Sequence, residues 1–486
     1  MFPLRRRIGL RGRRHGDSLD RRFADGGDEV TQPGLFGLLP ESASPEQQPQ
    51  PAGKARLREP VRDQIELRAM DLDSLIADDH PARLIWAYVE RLDLSALEDA
   101  IKSREGHPGG PAAAPRLLLG LWLYATSQGI GSARALARLC ESDAPYRWMC
   151  GGVSMNHHTL GDFRVDHADF LDRLLAEHIA ALAAAELIDL SSISQDGIKV
   201  RAAAGASSFR RRKTLEQHLS TAQDRVARLK AEVDDDPAAC SKRVRAARER
   251  AAREKSERVE AALRELGRVE AVRKKREKKN RNQTEKQKEP RASTTDPEAR
   301  NMKMADGGFR PAFNVQVVSV AGEQIVVAVD PGNVGSDRGL AGPMLEQLHE
   351  RTGDLPDQYF TDGGFPAAKD IEWAHDQGVA IYAPPTKSKH GTDPFAPRKD
   401  DGPGVLAWRE RMGSQEGKTL YKVRAVCECI HARWRNWSLI RFNVRGLKKV
   451  RAVMLWHALA NNIFQGARLM HEAASRKTTQ PVMAVA

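Results

Sequence analysis

Near the C-terminus the stretch Tyr421 to Arg435 reads YKVRAVCECIHARWR. At ~100° per residue, a helix here sets Tyr421, Arg424, Glu428 and Arg435 within about 60° of one another. One stripe then carries an acid, a phenol and two guanidinium groups. Read as a solvated face, it amounts to an i,i+4 pair between Arg424 and Glu428 worth ~0.3–0.5 kcal/mol. Two aspartates upstream point to more. Asp196 comes just after the short apolar run LIDLSSIS, and Asp362 directly after DQYFT. Both sit where strands end, and a strand end is a rigid base for a carboxylate. Three acids gathered in one place would be a ligand set for a hard cation.

In chain order the acids spell Asp, Asp, Glu. Tyr421, Arg424, Glu428 and Arg435 resemble the Y-x2-R-x3-E-x6-K signature of DDE insertion-sequence transposases, with arginine in place of the usual lysine. Further segments agree: Asp196-Gly197-x-Lys199, the run Ser293 to Arg300, the Phe360 and Phe365 context of Asp362, and Arg445-Gly446-Leu447-x-Lys449-Val450-Arg451. The resemblance runs from about Arg62 to about Ile463. It implies an RNase H-like catalytic fold with Asp196, Asp362 and Glu428 as catalytic acids. Lys199 enters only as part of the first acid's context, and with Tyr421, Arg424, Arg435, Arg445, Lys448 and Lys449 it is expected to meet DNA.

Like charges explain why such a triad needs a metal. At ~4 Å each carboxylate pair costs about 1 kcal/mol in water and several times that in a partly buried site. Carboxylate oxygens suit Mg²⁺ or Mn²⁺, and two such ions can stabilise the attacking and leaving oxygens of an in-line phosphoryl displacement. Asp196 and Asp362 are then the core ligands, with Glu428 completing the second ion. Cys427-x-Cys429-x-His431 suggests zinc at first sight, but a structural zinc site takes four ligands and no second pair stands nearby. Helix packing accounts for these residues.

Bulk properties agree with a nucleic-acid partner. The chain has 486 residues, enough for two or three domains, with a formal net charge of +12. With no membrane segment in the sequence, a polyanion such as double-stranded DNA is the expected partner. The five cysteines are scattered and form no disulfide framework, as in a reducing cytoplasm.

In chain order, residues 1–60 read as a disordered basic tail, since no apolar run follows Arg5-Arg6-Arg7. From about 62 to 186 the three-to-four spacing of apolar residues predicts an all-helical domain, which the resemblance assigns to DNA binding. Gly129 and Gly131 punctuate it, and Asn156 or Thr159 is placed to cap a helix. At Leu187 the period shortens and an α/β catalytic domain, 187–465, begins. It is interrupted at 209–290 by a coiled-coil hairpin. Leu215, Leu219, Ala222, Val226, Leu229 and Val233 give its first seam, and Val244, Ala247, Ala251, Ala262, Leu266 and Val269 its second. The basic run Arg273 to Lys288 closes the hairpin and is a candidate phosphate contact. Two strands around Ala321-Gly322 should pair with each other and lie beside the Asp196 strand, followed by helix, strand, helix and strand. Residues 386–419 read as a polar connector, and 466–486 as a frayed tail.

The fold expected is therefore α/β: an RNase H-like mixed sheet with flanking helices, an N-terminal helical domain and an inserted hairpin. The function expected is metal-dependent DNA cleavage and strand transfer at transposon ends, by a cytoplasmic, nucleoid-associated bacterial protein acting as a homodimer on DNA. A nuclease without strand transfer and a non-catalytic DNA-binding descendant are the rival readings.

Overall fold

A computed structural model describes residues 69–106, 110–235, 242–279, 289–386 and 393–479. The expected tail 1–60, the part of the basic run at 280–288 and the last residues, 480–486, lie outside the described residues. The helical segment comprises α1 (Pro81–Glu90), α2 (Ser95–Asp99), α3 (Pro115–Ser127), α4 (Ala133–Ser142), α5 (Ala144–Cys150), α6 (His157–Asp166) and α7 (Ala168–Ala184). Proline opens α1 and α3, where its missing N–H costs nothing. Ser132 and Asn156 cap α4 and α6, each accepting a backbone N–H from the first turn. From Leu117 to Ser127, α3 is buried on every side, so it is a core helix rather than an amphipathic cover.

The chain then turns into β1 (Ser192–Arg201). A short pair, β2 (Phe209–Arg210) with β3 (Ala292–Ser293), closes the root of the inserted hairpin, α8 (Arg212–Asp235) and α9 (Lys242–Lys279). Leu215 near the start of α8 packs with Val259, Ala262 and Leu266 toward the end of α9, so the two run antiparallel. The first seam lies where its heptads place it, with Leu215 and Ala222 buried. The second is phased differently: Ala251 is exposed, while Ala252, Ser256, Val259 and Leu266 turn inward. Several alanines in a row leave the heptad frame open, and packing against α8 selects it.

The remaining strands are β4 (Arg300–Lys303), β5 (Phe309–Val320), β6 (Val326–Gly332), β7 (Gln358–Phe360) and β8 (Ala380–Tyr382). The main sheet runs β4-β5-β1-β7-β8, with β6 also paired to β5. β5 lies antiparallel to β1 and to β6, whereas β1, β7 and β8 are mutually parallel. Helices α10 (Ala341–Thr352) and α11 (Ala368–Asp376) supply the crossovers. The expected polar connector instead contains α12 (Pro403–Gly413) and α13 (Gln415–Leu420). Val405, Trp408 and Met412 bury one face of α12.

After α14 (Val426–Asn436), α15 spans Leu447–Thr479. It does not fray at Gln465 but continues over the expected tail as far as Thr479. This helix packs on β6 on one side and on α3, α6 and α7 on the other, and Ala452 to Asn462 are buried throughout. Asn462 accepts the Val326 N–H at 2.8 Å and donates to the Val326 carbonyl at 2.7 Å, satisfying a strand that has no partner on that side. The helical segment and the sheet thus share one hydrophobic core, with α15 between them.

Candidate active site

Asp196 lies in the middle of β1, opposite Val317 of β5, and not at the strand end expected of it, because β1 runs on past the Asp-Gly and stays paired with β5 as far as Arg201. Asp362 follows the last residues of β7, the parallel neighbour of β1, and Glu428 stands in the first turn of α14. The three therefore come from adjacent strands and a helix packed on them. Arg424 joins them. Its Nη2 is 3.5 Å from Asp196 Oδ2 and 3.0 Å from Asp362 Oδ1, and its Nη1 is 3.7 Å from Glu428 Oε1. Asp196 and Arg424 are largely buried, whereas Asp362 and Glu428 open to solvent.

Burial makes Asp196 a poor carboxylate. Desolvation lifts its pKa to about 6 despite the Arg424 charge and the Gly197 N–H donated to it at 2.8 Å, and Asp362 and Glu428 push the same way. For Arg424, burial opposes the charge, but Asp196 and Asp362 outweigh it and raise its pKa. Tyr421 rests against Arg424, its phenol shifted up by burial. His431, one turn beyond Glu428, sets Nδ1 3.5 Å from Asp196 Oδ2. Burial and then Arg435 and Arg424 lower its pKa to about 4, so it is a neutral neighbour of Asp196. From sequence alone His431 reads as plain helix packing. Its i+3 spacing from Glu428 was the available signal.

The other candidates divide. Tyr421 and Arg424 lie in a 3₁₀ turn, Tyr421–Ala425, rather than in the α-helix expected there, and only α14 continues as α. Arg435 is exposed at the far end of α14, and no ion pair links it to the acids. Lys199 is three residues from Asp196 on β1, so strand alternation sends it to the opposite face. Arg445, Lys448 and Lys449 are exposed at the start of α15, away from the acid cluster in sequence but on one accessible turn. Cys427 is buried, its sulfur 3.0 Å from Ser319 Oγ, while Cys429 is exposed. The two thiols do not converge.

As they stand, no three His, Cys, Asp or Glu side chains among the described residues are arranged to hold a metal ion. Three carboxylates around a single positive group are nevertheless the donor chemistry that a hard divalent cation takes.

A mixed sheet with parallel β1, β7 and β8, an antiparallel β5–β6 extension and flanking helices defines an α/β protein of the RNase H-like class. Residues 283–463 match the family described as Transposase DDE domain, and residues 70–166 match a second, Transposase domain (DUF772). Together these matches take in more than half of the chain, which belongs to the insertion-sequence DDE transposases. The family implies DNA binding and generally uses divalent metal ions. No curated protein and no solved structure matches the chain. The DDE-domain match takes in Asp362 and Glu428 and stops short of Asp196, which lies on the other side of the hairpin. Among the described residues, no helix is long and apolar enough to cross a membrane.

Proposed function

We propose that the chain cuts and joins DNA strands at the ends of an insertion sequence, with Asp196, Asp362 and Glu428 as its reactive acids. The observation that carries this reading is their convergence on one guanidinium from three separated segments. Two Mg²⁺ or Mn²⁺ ions, when bound, would stabilise charge on the attacking and leaving oxygens of the phosphodiester. Asp196 and Asp362 offer oxygens from the sheet, and Glu428 completes the set from α14. β1 and β7 pair as far as Ser194 and Phe360, two residues short of each aspartate, so neighbouring strands lead to both, and withdrawal of Arg424 would open the set. Once withdrawn, Arg424 can meet the phosphate next to the scissile bond, with Tyr421 beside it, since guanidinium suits bidentate phosphate contact.

Arg445, Lys448 and Lys449 around the start of α15, and Arg435 at the end of α14, are exposed cations that would follow the duplex. Lys199, on the opposite face of β1, would contact DNA only outside the reacting phosphates. The helical segment 69–186 is the candidate for reading the ends. Two copies of the chain on a pair of ends would account for paired cleavage.

Glu428→Gln tests the reading. It keeps the side chain's size while removing one anionic donor, so cleavage of an end-containing duplex in Mg²⁺ should fall at least a hundredfold, about 2.7 kcal/mol in barrier. End binding, followed by mobility shift in Ca²⁺, should persist. Wild-type cleavage by this variant would reduce the stripe to a solvated ion pair. Cleavage without joining to a target plasmid would make the wild-type protein a nuclease alone.

A further inference from the structure

A second buried guanidinium lies far from the acids. Arg164, near the end of α6, is 6% exposed. Its Nη1 donates to Asn443 Oδ1 at 2.8 Å and to the Gly131 carbonyl, and the group stacks 4.8 Å from the Trp122 ring centroid. Every one of these partners is neutral, and its Nε, fully buried, has no partner. Arg409, as deeply buried, has Asp401 at 2.6 Å, and the buried Arg351 is paired with Asp172. Burial alone moves Arg164, lowering its pKa to about 10, with no carboxylate acting to restore it. A guanidinium taken out of water without a counter-charge is costly, and such a group calls for an anion.

There is room for one. Arg164 lines a cavity of about 270 Å³ between the α3–α4 turn and the segment that follows α14. Its walls include Ser132, Arg441, Asn443 and His457 and contain no carboxylate. His457 is neutral at ordinary pH, since burial holds its pKa near 4. The α3–α4 turn, Gly129-Ile130-Gly131-Ser132, leads directly into the ten-residue helix α4, whose first-turn N–H groups have no acceptors within the helix; Ser132 Oγ accepts that of Ala135 and leaves those of Ala133 and Arg134. Gly129 has φ +71°, and a Cβ there would lie 2.7 Å from Ser438 Oγ, so this backbone must approach closely. Glycine turn, helix start and unpaired arginine together have the chemistry of a phosphate cradle.

We propose that this cavity is an oxyanion site that takes one phosphate group, held by Arg164 and Arg441 and by the start of α4. Arg441 bridges to Arg201, five residues along β1 from Asp196, which is roughly 17 Å at the strand rise. That span equals about five nucleotides of one DNA strand at 3.4 Å each. A backbone phosphate of bound DNA and free inorganic phosphate share this chemistry. The site does not depend on the acid cluster being reactive.

The test uses the full chain without divalent metal. Inorganic phosphate, titrated against chloride at constant ionic strength, should raise the wild-type Tm and broaden the ³¹P resonance. Arg441→Ala and Arg164→Gln should each weaken phosphate binding at least tenfold, and Arg164→Lys should retain part of it. Should Arg164→Gln not fold, Arg441→Ala and Ser132→Val, both at the cavity wall, decide by the same readout. End duplexes with single neutral methylphosphonates identify the source. One position that weakens wild-type binding but not that of Arg441→Ala assigns the site to the DNA backbone, whereas phosphate binding with no such position assigns it to the free ion. A wild-type Tm indifferent to phosphate, or equal phosphate affinity in Arg441→Ala, overturns the proposal.

Discussion

Arg424 and Arg164 are both guanidinium groups withdrawn from water, and they differ in what surrounds them. Arg424 has three carboxylates within 3.7 Å, supplied by β1, the end of β7 and α14. Arg164 has a carbonyl, an amide oxygen and an indole ring. In the first place charge is in excess on the acid side, and the arginine moderates it. In the second the arginine is itself the excess. Each imbalance points to the ligand that would correct it, a cation among the acids and an anion beside the lone arginine. A buried charge left half-compensated is expensive, so it is informative about what binds.

The largest effect should come from breaking the acid side. Asp196→Asn removes the buried carboxylate that the other two acids and Arg424 surround, and end cleavage in Mg²⁺ should fall by about 10³-fold or more, some 4 kcal/mol of barrier. Calorimetric titration with Mn²⁺ should show weakened binding in the same protein; unchanged Mn²⁺ affinity would remove Asp196 from the ligand set.

Next comes Arg424→Ala, which leaves the acids facing one another. In EDTA it should cost about 3 kcal/mol of stability by urea unfolding, the low end for a broken buried pair because two of the three acids are exposed. Mn²⁺ should restore most of that and bind more tightly than to wild type. A variant equally stable with and without Mn²⁺ would mean that Arg424 does not hold the place of an ion.

Asp296 sharpens the comparison from the acid side: it is buried, and desolvation outweighs the opposed pulls of the nearby Glu298 carboxylate and Arg445 guanidinium. It accepts the Gly446 N–H at 3.2 Å ahead of α15, and burial raises its pKa to about 6. The folded state therefore holds a proton that the unfolded chain, with an Asp near 3.9, releases. Stability is greatest below about pH 4 and falls as pH rises toward and through 6. Asp296→Asn keeps an acceptor for Gly446, so it should gain about 3 kcal/mol at pH 7.5 and little at pH 4. A gain independent of pH, in paired unfolding curves, would contradict the burial argument.

The smallest effect belongs to the exposed turn. Replacing Lys448 and Lys449 together by alanine should lower the slope of log K against log salt by about 1.8 if each meets one phosphate. Sequence preference should not change. An unaltered slope would place the duplex elsewhere.

Much of this was legible without coordinates. The shift from helical period to short strands at Leu187, the heptads of α8 and the Asp-Asp-Glu order each depend on near neighbours, and local pattern reports near neighbours faithfully. Asn156 was legible as a cap for the same reason. The second seam of the hairpin was not, because a run of alanines fits more than one heptad frame and only α8 chooses between them. Nor was α12: its Pro/Gly-rich surroundings resemble a loop, yet Trp408 and Met412 find a core to bury in.

The sequence by itself determined which acids are present, their order, and the basic character of the surface that would meet DNA. Only the tertiary structure decided that Arg424 stands between the acids and that Arg164 has no counter-charge. Side-chain type is written in the chain, but charge compensation is a property of distances across segments hundreds of residues apart. Asn443 and Gly131 meet around Arg164 because α15 is packed between the helical segment and the sheet, and no local pattern encodes that packing.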